Sequence, residues 1–210
     1  DDPLSKVKEA VLKGNKRRIV EITKEAVAAG IAPRKLLDDA LLPGIGEVGE
    51  LFDSGKYFLP QLIAGAEAMK LAIEYLEPLM SDGEDREVLP TIVIATVKGD
   101  IHDIGKNLVA LMLRNHGFQV IDLGKDVPRE TIVEEAQKHD ASIIALSALM
   151  TTTMQEMRHV IAYAKEQRIK AKIIIGGAVI TQDFADEIGA DGYSQDAAEA
   201  VKLTRRILGL

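Results

Sequence analysis

Three short, almost unbroken runs of apolar residues, Ile92 to Ala95, Ile143 to Leu146 and Ile173 to Ile175, recur along the second half of this chain with amphipathic stretches between them. A strand with one face in water alternates polar and apolar positions, whereas a strand that is apolar at consecutive positions has to be covered on both faces. Helices on both sides of a parallel sheet give that cover, and short loops then require right-handed crossovers. The pattern predicts strands over 91–97, 119–122, 142–147, 172–175 and 192–193. Helices are expected near 105–116, 128–139, 151–168, 180–188 and 196–208.

The expected fold class is α/β, a doubly wound, flavodoxin-like sheet of five parallel strands. Ligands of such sheets bind beyond the carboxyl ends of the strands, at the switch point between the first and third. The first half differs. Residues 3 to 80 carry apolar residues at helical spacing, punctuated by Gly14, Gly30, Pro33, Pro43 and Gly55, which predicts a bundle of four or five helices. Asn15 and Gly30 bracket one helix as N-cap and C′ residue, and Phe58 to Met80 forms the longest, with Pro60 in its first turn. Between the halves, Ser-Asp-Gly-Glu-Asp-Arg-Glu at 81–87 is polar and charged. The expected organisation is a helical domain over 1–80, a linker over 81–89 and an α/β domain over 90–210.

Composition narrows the chemistry. The chain has 210 residues, 47% hydrophobic and 28% charged, as expected of a soluble globular protein. With no cysteine, disulfides, zinc–thiolate sites and iron–sulfur clusters are excluded, so a metal has to be held by nitrogen, oxygen or its own macrocycle. A net charge of −7 with 4% aromatic residues gives no basic, aromatic-interleaved surface for nucleic acid. No apolar run approaches the roughly 20 residues of a membrane helix, and no signal-peptide core is visible, so a cytoplasmic location is expected.

At the exit of the first predicted strand stands Asp100-x-His102-x-x-Gly105. A histidine with a carboxylate two residues before it is a candidate metal ligand with its own orienting partner. After the third strand come Ser147, Leu149 and Thr151-Thr152-Thr153; after the fourth come Gly176 and Gly177. The fold brings these three loops to one crevice, where glycines permit close backbone approach and hydroxyls can bind a polar tail or an imidazole. Taken singly, each has an ordinary reading as a capping pair, a common tripeptide or a tight turn. His116, His139 and His159 fall on predicted helices and read as surface or boundary residues.

The spacing joins them. Forty-one residues separate Gly105 from Ser147 and twenty-six separate Leu149 from Gly176, and residues 90–210 resemble the Rossmann-type domain that binds cobalamin with its nucleotide base displaced. The preceding 80 residues resemble the helical cap of cobalamin-dependent methionine synthase and of stand-alone corrinoid proteins, on Phe52, Gly55-Lys56 and Tyr57-Phe58-Leu59-Pro60-Gln61. The resemblance implies that His102 is the lower ligand of cobalt, that Asp100 accepts its other ring N–H, and that Thr153, where the family has serine, extends the pair to a triad. It places Asp100, Ile101, His102, Asp103, Ile104, Gly105, Ser147, Leu149, Thr151, Thr153, Gly176 and Gly177 against the corrinoid. Phe52, Leu59 and Leu62 would shield the methyl-bearing face. The implied function is that of a methyl carrier, not catalytic alone, between a substrate methyltransferase for methanol, methylamines, methoxyaromatics or betaines and an acceptor methyltransferase for tetrahydrofolate or a thiol. A reductive activator is a further implied partner, and Ser81 to Glu87 an implied hinge. The alternative is a cobalamin-dependent sensor lacking its output domain; a mutase subunit is disfavoured by the Phe/Leu cap.

Overall fold

The structure, a computed structural model, describes residues 2–80 and 89–210. The expected linker and hinge lie outside the described residues except for Leu89. Contacts divide the chain into two compact units, Asp1–Val88 and Leu89–Leu210.

The first unit is helical. Helix α1 (Pro3–Leu12) starts with proline after Asp2, whose side chain accepts the Leu4 N–H at 3.4 Å. Helix α2 (Ile19–Ala28) ends on Gly30 at φ +94, with the Gly30 N–H on Val27 O and the Ile31 N–H on Ala26 O, the paired bonds that close a helix at a left-handed residue. Asn15 does not cap it. Its Oδ1 accepts the Arg18 N–H at 3.3 Å in a preceding turn, and the helix begins at Ile19.

Pro43 does not end a helix either. Helix α3 (Pro33–Leu36), a π-helical segment (Leu37–Leu41) and α4 (Leu42–Asp53) follow one another without interruption. A proline inside a helix lacks an N–H and crowds the carbonyl four residues back; the wider turn just before it, in which the Leu42 N–H reaches Leu37 O, gives the ring room. Helix α5 (Leu59–Leu76) runs into a 3₁₀ turn (Glu77–Leu79), with the Phe58 N–H held by Gln61 Oε1 at 2.6 Å. Helices α1, α4 and α5 approach closely because Gly44 faces Val11, and Gly65 faces Val11 O and Val48.

The second unit is a five-stranded parallel sheet, β1 (Thr91–Thr96), β2 (Gln119–Asp122), β3 (Ile143–Ser147), β4 (Lys172–Gly176) and β5 (Gly192–Tyr193), in the order β2-β1-β3-β4-β5. Between and after the strands run α6 (Ile104–Asn115), α7 (Arg129–Lys138), α8 (Thr151–Glu166), α9 (Gln182–Ile188) and α10 (Ala197–Ile207). Side chains alternate across the sheet. Val93, Ala95, Ile144, Leu146, Ile173 and Ile175 share one core with Ile132, Val133, Met157, Val160 and Phe184, whereas Ile92, Ile94, Ile143 and Ile174 are buried on the opposite face. This is the two-sided cover that the apolar runs require. In the register Thr96 lies beside Ser147 and Ser147 beside Gly176, so β1, β3 and β4 end level.

His116, at the carboxyl end of α6, is half-buried, the boundary position of the two that the sequence allows. Burial, with Arg205 nearby, pushes its imidazole down from 6.5 to about 4. A base whose folded value is depressed leaves the unfolded chain holding more protons between those values, so stability is full above pH 6.5 and falls toward pH 4. The loss attributable to this group is on the order of 3 kcal/mol. Urea unfolding of His116→Gln at pH 7 and 4.5 is expected to show a smaller acid loss than the parent; equal losses would remove the assignment.

Candidate functional site

The site is built where β1 leaves the sheet. Val97 is still paired, bridging to Val127, and its N–H donates to Ser147 O at 3.0 Å. The chain then turns through Gly99 at φ +86, and the Asp100 N–H closes the turn on Val97 O at 3.1 Å. This turn carries the Asp100 carboxylate into the protein, where it is fully buried.

Four donors converge on that carboxylate. Oδ1 lies 3.0 Å from the His102 N–H and 2.8 Å from His102 Nδ1. Oδ2 accepts the Leu149 N–H and the Thr153 hydroxyl, both at 2.7 Å. Burial raises the carboxyl group's pKa, but the bonds from Leu149, Thr153 and His102 outweigh it and hold the group well below the usual carboxylate range. Asp100 is therefore an anion that ties together the ends of β1 and β3. The extra methyl of Thr153 causes no crowding, because Cγ2 faces Gly99 and would stand 3.5 Å even from a Cβ placed there.

With Nδ1 committed to Asp100, His102 keeps Nε2 as its second ring nitrogen. Its side chain is 47% exposed. Around it the loops present large apolar residues: Ile101 is 64%, Ile104 67% and Leu149 39% exposed. Three apolar side chains this open beside one histidine make an exposed apolar patch of the kind that marks a ligand or partner site. Asp103 precedes α6 without a side-chain capping bond and is half-buried, and Thr151 is exposed as the first residue of α8.

The three glycines differ. Gly177 has φ +134, and a Cβ there would overlap the carbonyl oxygen of Ala148; a Cβ on Gly176 would lie 3.1 Å from Ser194 O. Gly177 thus has to be glycine for the fold itself, whereas at Gly176 a side chain would be tight against Ser194. At Gly105 a Cβ would meet nothing within 4 Å, and the backbone is helical. Nothing in the fold itself therefore requires glycine at 105.

Asp100, His102, Leu149 and Thr153 are in direct contact, with Ser147, Gly176 and Gly177 at the adjacent strand ends. Phe52, Leu59 and Leu62 belong to the first unit. Phe52 and Leu59 are half-buried there, whereas Leu62 is 1% exposed, on the α5 stripe continued by Ala66 and Met69. Its side chain is committed to packing. Two features escape sequence reasoning. Lys106, four residues after His102, is a buried lysine whose Nζ lies 2.6 Å from Asp122 Oδ1. Asp126 adopts φ +52 and accepts the Gly99 N–H at 2.7 Å. Neither stands out from surface charges by spacing.

Among the described residues no group of three or more His, Asp or Glu side chains is placed to hold a bare metal ion, and no helix is long and apolar enough to cross a membrane. Two family models, each described as a B12 binding domain, match residues 90–202 and 4–77. Trimethylamine corrinoid protein 1 of Methanosarcina acetivorans is 43% identical, over 99% of this chain and 98% of the relative. Dimethylamine corrinoid protein 1 of Methanosarcina mazei is 42% identical, over 96% and 97%. Among solved structures, a cobalamin-binding protein from Desulfitobacterium hafniense superposes with a TM-score of 0.83 at 34% identity, covering 97% of each chain. The methanol:cobalamin methyltransferase complex of Methanosarcina barkeri gives 0.82 at 37% identity, covering all of this chain and 80% of that one. With a B12 binding domain over more than half its length and relatives matched end to end, the chain belongs to the corrinoid (cobalamin-binding) proteins of methyltransferase systems.

Proposed function

We propose that this protein binds a corrinoid through His102 as the lower axial ligand, with the cofactor's own base displaced, and carries a methyl group from a methylamine methyltransferase to an acceptor methyltransferase. The observation that carries this is the half-exposed His102 ring, oriented by a buried carboxylate and flanked by exposed Ile101, Ile104 and Leu149. A single imidazole is one ligand, which suits a metal that arrives with its other ligands in a macrocycle. The open space at Gly105 fits the same group. When bound, the corrinoid supplies the cobalt that accepts and releases the methyl group.

The residues then have distinct tasks. His102 presents Nε2, and Asp100 fixes the ring and holds the proton on Nδ1. Thr153 and the Leu149 N–H keep Asp100 ionised and in place. Ser147, Gly105, Gly176 and Gly177 border the path of the displaced nucleotide tail, and Asp103 and Thr151 its polar flank. Phe52 and Leu59 are the residues of the helical unit assigned to the methyl-bearing side. The choice of a methylated amine as donor rests on the tri- and dimethylamine corrinoid relatives; a reductive activator is the third partner.

The test is reconstitution with hydroxocobalamin, followed by incubation of the reduced protein with a trimethylamine or dimethylamine methyltransferase and its substrate. A corrinoid that stays bound through gel filtration and is methylated in an amine-dependent way is expected. A protein that retains none refutes the binding reading, and one methylated only from methanol refutes the donor. Gly105→Ala sharpens the test. Alanine there is expected to fold no less stably than glycine, since glycine in a helix costs about 0.5–1 kcal/mol, yet to bind the corrinoid at least tenfold more weakly, in a binding titration.

A further inference from the structure

The segment from Asp122, the last residue of β2, to the start of α7 contains none of the residues assigned to the corrinoid, yet it grips the histidine loop on both sides of His102. Before the histidine, Asp126 Oδ1 accepts the Gly99 N–H at 2.7 Å, and the Asp126 N–H donates to the Asp100 carbonyl at 2.9 Å. The next residue, Val127, donates its N–H to Thr96 O at 3.1 Å. After the histidine, Lys106 Nζ bonds Asp122 Oδ1, and that same oxygen accepts the Gly124 N–H at 2.8 Å. Gly124 O in turn accepts the Thr96 N–H at 2.9 Å. Both ends of the stretch from Thr96 to Lys106 are therefore fastened to a single edge segment.

Asp126 is the member of this segment with a cost attached. Its φ of +52 lies in the left-handed region, which non-glycine residues occupy rarely and aspartate and asparagine more readily than most. A strained backbone persists where surrounding bonds over-determine it, and here those bonds are the two to Gly99 and Asp100. Their target is the peptide segment whose side chain orients His102. Asp100 aims the imidazole, and Asp126 fixes the main chain from which Asp100 is aimed.

We propose that Asp126 is a positioning residue for His102, acting through Gly99 and Asp100 and touching no cofactor itself; the inference rests on the corrinoid reading given above. A ligand presented by a loop that visits other conformations binds its metal with an affinity reduced to the fraction of time it is correctly placed. The edge segment keeps that fraction near one by holding the histidine loop before the corrinoid arrives.

Three substitutions separate the contributions. Asp126→Asn keeps an acceptor for the Gly99 N–H and tolerates positive φ. Asp126→Gly keeps the backbone and removes the acceptor. Asp126→Ala removes the acceptor and strains the backbone. Each protein is loaded with cob(II)alamin, and three quantities are read: affinity, the nitrogen superhyperfine splitting that a histidine ligand imposes on the cobalt electron spin resonance, and the thermal midpoint without corrinoid. Asp126→Asn is expected to match the parent. The glycine and alanine variants are expected to bind about tenfold more weakly with a reduced nitrogen-coupled fraction, while unloaded Asp126→Gly melts within about 2 °C of the parent. A glycine variant with parental affinity and full nitrogen splitting overturns the proposal. So does a loss of binding that tracks a fall in the unloaded midpoint and is not relieved by asparagine. A parent protein without nitrogen splitting would instead overturn the His102 ligation, and the positioning role with it.

Discussion

His102→Ala, loaded with cobalamin, is expected to lose the histidine-ligated visible spectrum and at least a hundredfold in affinity while folding like the parent. The expectation follows from how little of the fold hangs on this ring. The imidazole is half-exposed, and its one bond, to Asp100 Oδ1, can be given up because that oxygen still accepts the main-chain N–H of residue 102. Truncation of such a side chain usually shifts stability by less than about 1 kcal/mol. Asp100→Ala should behave differently. It removes the acceptor from the N–H groups of His102 and Leu149 together, whereas the Thr153 hydroxyl can fall back on Met150 O at 3.1 Å. Two main-chain donors left unpaired cost about 1–3 kcal/mol each, so this variant is expected to lose roughly 2–6 kcal/mol of stability even without corrinoid. Asp100→Asn is no rescue, because either orientation of the amide turns an NH₂ toward a main-chain N–H. Denaturant titrations of the unloaded proteins, run beside the corrinoid spectra, separate the two roles. A His102→Ala spectrum identical to the parent's would exclude this histidine as the ligand, and an Asp100→Ala as stable as the parent would exclude the carboxylate as the fastening of β1 to β3.

The difference between these two residues also shows what a linear sequence discloses. Asp100 and His102 are two residues apart, so their contact is local and the spacing alone suggests it. The bond from Asp100 to Thr153 spans 53 residues; it becomes legible once the apolar runs are recognised as parallel strands, because parallel register brings the ends of β1 and β3 together. The same two-sided apolar code makes the sheet readable, since consecutive buried positions have few other solutions. Pro43 is misread for a complementary reason: a proline usually ends a helix, and the π turn that accommodates it depends on packing that no local pattern carries. Asp126 and Lys106 are hidden because their importance lies in main-chain bonds and burial, and a charged residue in a loop or on a helix looks the same whether it is solvated or enclosed. Leu62 illustrates the opposite case, an apolar residue for which core packing and ligand cover have the same sequence appearance.

Gly177→Ala should have the largest effect of any single added methyl group in the second unit. The position has two independent objections to a side chain: a φ of +134, where L-residues are strained, and a Cβ site already occupied by the Ala148 carbonyl oxygen. Relief by shifting Ala148 is not local. The Ala148 N–H bonds Gly176 O at 3.3 Å, and the following residue, Leu149, gives its N–H to Asp100. Moving the β3 exit therefore withdraws a donor from the buried carboxylate that aims His102. Backbone strain costs about 1–3 kcal/mol, and forcing apart a packed contact adds a similar amount. Together they predict a fall of roughly 10 °C or more in the thermal midpoint and weakened corrinoid binding in whatever fraction still folds. Gly189 supplies the control. It also has a positive φ, +78, but a Cβ there would meet nothing within 4 Å. Gly189→Ala carries the strain without the overlap, so a drop of only a few degrees with corrinoid affinity intact is expected. If Gly177→Ala melted and bound as Gly189→Ala does, close approach of the β4 exit to Ala148 would not be what sets the height of the loop that holds Asp100.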